Sequence, residues 1–131
     1  MRPQYHFRPS DAGLQAWDVC KLVAAVAPLQ PELLSLDALR ELDEPYWYEQ
    51  GGAVATCRSV AEHMRLVQAA DLAYPIIVCP QGRLMDGMHR AVKALLLGHT
   101  TIWAYRLPVL PAPDYVGVHP DALPYGDEAP L

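Results

Sequence analysis

The stretch from Pro75 to Leu107 narrows the possible folds more than any other part of the chain. Pro75 to Cys79 is a continuous apolar, β-branched run, which suits a buried strand. Pro80 and Gly82 then fall at positions i+1 and i+3 of a type I turn. Leu84 and Met85 form the returning arm of a hairpin, and the chain passes directly into a helix over Ala91 to Leu97. Asp86 or Gly87 serves as the N-cap of that helix and Gly98 as its stop. Trp103, Tyr105 and Leu107 then alternate with Ile102 and Ala104 in a strand with two distinct faces. Strand, turn, strand, helix and strand follow one another with no slack.

The helix start carries the chemistry. Asp86, His89, Arg90 and Lys93 follow the i, i+3, i+4, i+7 rule and share one helical face. A helix N-terminus is electropositive and attracts anions, so three potential cations gathered there call for compensation. Two readings satisfy this. In the first, an anion, most simply a phosphate, is held by backbone N–H groups, His89 and Arg90. In the second, Asp86 and Arg90 form an exposed i, i+4 ion pair beside a solvated Lys93, and no ligand is required. Spacing alone does not choose between them.

Upstream, Leu14, Trp17, Val23 and Val26 with interspersed Asp18 and Lys21 predict an amphipathic helix from Ser10 or Asp11 to about Ala27. Leu33 to Leu36 suits a short strand, and Asp37 to Leu42 adds a helical turn. Asp43 to Tyr48 is acidic and aromatic and precedes Gly51 and Gly52, so its rings either form a movable flap or cover the edge of the core. Ser59 and Glu62 form a capping-box pattern for a helix running to about Ala70. Arg58 precedes that cap, and Ser59 offers a hydroxyl to an anion or simply caps the helix. His63 on this helix reads as structural. Beyond Leu107, prolines at 108, 111, 113, 120, 124 and 130 exclude regular helix. This acidic tail is expected to pack across the domain, to pack onto a second subunit as in a homodimer, or to be partly disordered.

With 131 residues, 52% of them hydrophobic, the chain can bury a core of its own. Cys20, Cys57 and Cys79 are an odd number at wide spacing, as expected of reduced thiols. Cys57 beside Arg58 lies just before a helix start, a setting that lowers a thiol pKa, although a small buried residue is the simpler role. The polar segment Met1 to Ser10 leads into no signal sequence and no apolar run is long enough for a membrane span, so a cytoplasmic protein is expected. A net charge of −5 counts against sequence-independent DNA binding. The five histidines show no paired metal-ligand spacing.

From Pro31 to Leu107 the order of elements resembles the ParB N-terminal domain/sulfiredoxin superfamily. The match is carried by Pro75–Val78, by Gly82 to Arg90, by Ala94, Leu97, Gly98 and Ile102, and above all by the Asp86-Gly87-Met88-His89-Arg90 turn. The resemblance implies an α+β fold, a single domain of this kind with a small mixed sheet and helices packed on it. Residues 1–30 would be an N-terminal helical segment and residues 108–131 a proline-rich acidic tail. It further implies that the turn holds the phosphates of a nucleotide (ATP, ADP or CTP with Mg²⁺). The resemblance puts Gly87, His89 and Arg90 in that site, and the reading of the two helix starts adds Arg58, Ser59, Asp86, Met88 and Lys93 as expected members. Met88 stands where sulfiredoxins place their reactive cysteine, so cysteine chemistry is not implied, and the tail replaces the DNA-binding domain of partition proteins. Members with the same Asp-Gly-x-His-Arg turn transfer phosphate and use an upstream acid as base, here Glu44 or Glu41. The expected function is a nucleotide-dependent phosphotransferase or hydrolase acting on a small molecule, with Glu44 and His89 catalytic. The alternative is a module that senses a nucleotide or associates with DNA.

Overall fold

The computed structural model describes residues 4–49 and 53–125. In chain order the elements are β1 (Tyr5–Arg8), β2 (Gln15–Asp18), α1 (Val19–Val26), β3 (Glu32–Ser35), α2 (Cys57–Ala69), β4 (Ile76–Val78), β5 (Leu84–Asp86), α3 (Met88–Leu96), β6 (Thr101–Arg106) and β7 (Tyr115–Val116). Short 3₁₀ turns cover Leu36–Ala38, Arg40–Asp43, Tyr46–Tyr48 and Pro120–Ala122. The class is α+β, with two small sheets. Contacts divide the chain into two compact units, residues 29–110 and residues 1–28 with 111–131. The boundaries expected near 30 and 107 lie close to these, but the two flanks come together as one unit. Among the described residues, no helix is long and apolar enough to cross a membrane.

The unit of residues 29–110 holds a four-stranded sheet in the order β3-β6-β4-β5. β4 runs parallel to β6, while the β3–β6 and β4–β5 pairs are antiparallel. The hairpin forms as its sequence predicts, with the Gly82 N–H donating to the Cys79 carbonyl at 2.8 Å and Gly82 at φ +80°. Ile76, Val78 and Leu84 are fully buried against Ala91 and Ala94 of α3. Each such aliphatic side chain contributes about 1.5–3 kcal/mol by leaving water. The alternation of β6 is realised as well, with Ile102 and Ala104 facing the core and Trp103 exposed.

In the other unit β2 lies between β1 and β7, antiparallel to both. This corrects the helix expected from Ser10 to Ala27. Ser10 and Gly13 exchange two backbone hydrogen bonds in a tight turn with Gly13 at φ +120°, which sends Gln15–Asp18 back along Tyr5–Arg8. Helix α1 starts only at Val19, where the Asp18 carboxylate accepts from the Cys20 N–H. The tail segment from Asp114 to Val116 is likewise structured. Tyr115 and Val116 pair with β2, and the Asp114 carboxylate accepts from the Asp18 N–H at 2.7 Å and meets Lys21 Nζ at 3.1 Å. Residues 126–131 of the expected tail lie outside the described residues, as do Gly51 and Gly52.

Candidate functional site

Helix α3 begins at Gly87, whose φ of 111° and ψ of 28° lie where side chains are disfavoured. A Cβ there would come within 2.6 Å of Ile76 Cγ2 and 3.0 Å of Arg90 Nη2. Glycine is therefore required twice over, by its backbone angle and by the close approach of β4. A glycine cap has no side chain to accept from the first-turn N–H groups, and no side chain caps this helix. The first turn of α3, which carries His89, therefore has no side-chain cap.

The cations expected to gather there are placed differently. Arg90 donates through Nη1 to the carbonyls of Tyr74 (3.0 Å) and Pro75 (2.8 Å) and through Nη2 to Asp86 Oδ2 (2.8 Å). It thus clamps the loop before β4 to the end of β5, and two of its five N–H donors remain unused among the described residues. The i, i+4 ion pair is real but partly buried, at 18% and 21% side-chain exposure, where both readings had it as either exposed or replaced by an anion. Lys93 is not at the helix start at all. In a helix of nine residues it belongs to the last turn, and its Nζ meets the carbonyls of Gln68 (3.0 Å) and Ala70 (2.6 Å) at the end of α2. A cation at a helix C-terminus is where the dipole favours it.

Helix α2 also starts earlier than its capping-box pattern indicates. Thr56, not Ser59, is the N-cap, and its Oγ1 accepts from the Ser59 N–H at 3.1 Å. Cys57 is the first helical residue and is exposed rather than buried. Arg58 is exposed in the first turn and has no ion-pair partner among the described residues. Ser59, released from capping, shares a hydrogen bond of 3.1 Å with the Tyr48 hydroxyl.

One turn further along α2, His63 meets α3. His63 Nδ1 lies 2.9 Å from His89 Nε2, and the Trp47 ring stacks on both imidazoles, at 4.1 Å and 7° on His63 and at 5.0 Å and 20° on His89. Tyr48 adds an edge contact to His63 at 5.8 Å. The aromatic segment therefore covers the helix pair. Two ring nitrogens at hydrogen-bond distance need one proton between them, so protonating both rings would break the contact. The pKa values agree with the geometry. His89 is pushed down from 6.5 to about 4, chiefly by burial and then by His63 and Arg90, and burial lowers His63 too. Both rings are neutral at pH 7.

Glu44, expected as base, is paired away from the two histidines. Both of its oxygens are taken by Arg83, with Nη2 at 2.9 Å and Nη1 at 3.1 Å. Arg83 also reaches Glu41 through Nε at 3.1 Å, and the acidic partners hold its guanidinium in the charged form. Nothing in the sequence analysis assigns Arg83 a role of its own, and His63 reads there as structural. The first left no signal, because the two carboxylates that Arg83 meets, Glu41 and Glu44, lie some forty residues earlier in the chain. For the second the signal was a histidine four residues after Ser59, the spacing that puts both on one helical face.

The structure thus places Gly87, His89 and Arg90 at the start of α3, where His89 meets His63 from the middle of α2, while Ser59 at the start of α2 meets Tyr48. It holds Glu44 and Lys93 elsewhere, with Met88 buried beneath. Compared with family models, with curated proteins and with solved structures, the chain gives no match.

Proposed function

We propose that residues 29–110 bind the phosphates of a nucleotide at the start of α3, and that the chain is a nucleotide-binding module of the ParB/sulfiredoxin kind in a cytoplasmic setting. The observation that carries this is Gly87. Its position against Ile76 keeps the helix start free of a side-chain cap, with His89 and the two unused donors of Arg90 beside it. Arg58 in the first turn of α2 is a further exposed cation with no ion pair among the described residues. The described residues hold no group of three or more His, Cys, Asp and Glu, so Mg²⁺ is best carried in by the phosphates themselves.

Binding without turnover is the reading favoured over phosphate transfer, because Arg83 engages both oxygens of Glu44. The second reading keeps the enzyme and moves the base to His89, which is neutral at pH 7 with a pKa of about 4. Calorimetry with ATP, ADP, CTP and GTP tests the site. One of them should bind with micromolar affinity, about −8 kcal/mol. Arg58→Ala should weaken it several-fold without changing stability, and Arg90→Ala should cost about 1.5–3 kcal/mol through loss of charged hydrogen bonds. If no nucleotide binds, or both variants bind as the wild type does, the proposal fails. Labelled nucleotide recovered intact favours sensing, whereas labelled product favours transfer or hydrolysis.

A further inference from the structure

A cavity of about 270 Å³ is lined by Glu41, Glu44, Tyr46, Trp47, Met88 and Val92 among others. Glu41 is 4% exposed, a rare state for a carboxylate. Its Oε2 is fully occupied, accepting the Leu84 N–H at 2.9 Å and facing Arg83 Nε at 3.1 Å. Its Oε1 is buried and has no hydrogen-bond partner, and the Trp47 indole N–H is buried and unpartnered as well. Leaving one oxygen of a buried carboxylate bare is costly, and native structures seldom do it without a missing donor.

The charge count points the same way. Glu41 and Glu44 share a single guanidinium, that of Arg83, so two negative charges face one positive charge and one negative charge is left over. The remaining lining is aromatic and aliphatic, which excludes a hydrated inorganic cation but suits an organic one, since ring faces attract cations. A ligand that completes Glu41 must bring both a positive charge and an N–H.

We propose that this cavity binds the primary ammonium group of a small organic molecule, with the Glu41 Oε1 oxygen as acceptor and the Tyr46–Tyr48 rings as walls. The ammonium donates to Oε1 and neutralises the surplus charge, and its carbon chain lies against Met88 and Val92. This proposal is independent of the phosphate reading, because nothing in the cavity recognises phosphate.

The test is a titration of the ¹⁵N-labelled full chain, followed by NMR at the Trp47 indole N–H and the Leu84 amide. The probes are n-propylammonium, 1-propanol and tetramethylammonium as chlorides or neat solute. Propylammonium should shift both signals and bind at least tenfold more tightly than either of the others. Glu41→Gln should remove that preference while keeping an oxygen for the Leu84 N–H. Equal binding of 1-propanol would reduce the cavity to an apolar hole, and equal binding of tetramethylammonium would mean that the bare oxygen plays no part. Either result, or no shift with any probe, overturns the proposal. Should Glu41→Gln fail to fold, the three-probe series on the wild type still decides.

Discussion

Replacing Gly87 by alanine tests the geometry on which the α3 start depends. Two costs are expected to combine. Holding an L-residue at φ +111° costs about 1–2 kcal/mol, and a Cβ placed 2.6 Å from Ile76 Cγ2 forces a shift in a fully buried neighbour, worth about 1–3 kcal/mol. The sum is a loss of about 2–5 kcal/mol. Gly98 provides the control, since its φ is +80° but nothing lies within 4 Å of its Cβ direction. Gly98→Ala should therefore show the backbone cost alone, about 1 kcal/mol. Urea unfolding measures both, and with a slope of about 2 kcal/mol/M the Gly87→Ala midpoint falls by about 1–2.5 M. If Gly87→Ala costs no more than Gly98→Ala, the close approach of β4 to the helix start does not constrain this position and the steric reasoning is wrong.

Two further outcomes follow from the site. His89 has a folded-state pKa of about 4 against an ordinary 6.5, so the folded protein binds fewer protons than the unfolded chain between those values. Stability should rise with pH from about 4 to 6.5 and be lost on acidification; in His89→Gln that part of the slope should disappear, and an unchanged pH profile would show that the imidazole pair does not couple to folding. Glu41→Ala removes the acceptor for the buried Leu84 N–H and one partner of Arg83, at a cost of about 3–5 kcal/mol, whereas Glu62→Ala breaks only an exposed pair with Arg65 and should cost under about 0.5 kcal/mol. Comparable losses in the two chemical denaturation curves would refute the structural weight given to Glu41.

What the sequence made legible was whatever is decided by neighbours in the chain. The Cys79–Gly82 turn, the glycines at 87 and 98 and the alternation along β6 are all fixed by residues within a few positions of one another. The failures share the opposite cause. Leu14 to Val26 satisfies a helical period, yet its first residues become a strand because Tyr5–Arg8 and Tyr115–Val116 supply hydrogen-bonding edges on either side. Thr56 and Ser59 are both sound caps, and only the position of Tyr48 shows which hydroxyl is spare. Lys93 looked misplaced because the carbonyls that it serves belong to another helix. Of the residues expected to share a site, Gly87, His89 and Arg90 lie together at the start of α3 and Ser59 instead meets Tyr48, while the contacts of Arg83 and Trp47 are ones that no spacing rule encodes.

The strand order has a consequence for biosynthesis. β3 can complete its ladder only when β6 arrives some seventy residues later, as the Glu32–Ala104 pairing requires, and β2 waits for Tyr115 and Val116 in the same way. A nascent chain would therefore carry two open strand edges until β6 and β7 had emerged from the ribosome. Until then the nascent polypeptide relies on a chaperone, or on quick pairing once those strands appear, to avoid sticking to its neighbours.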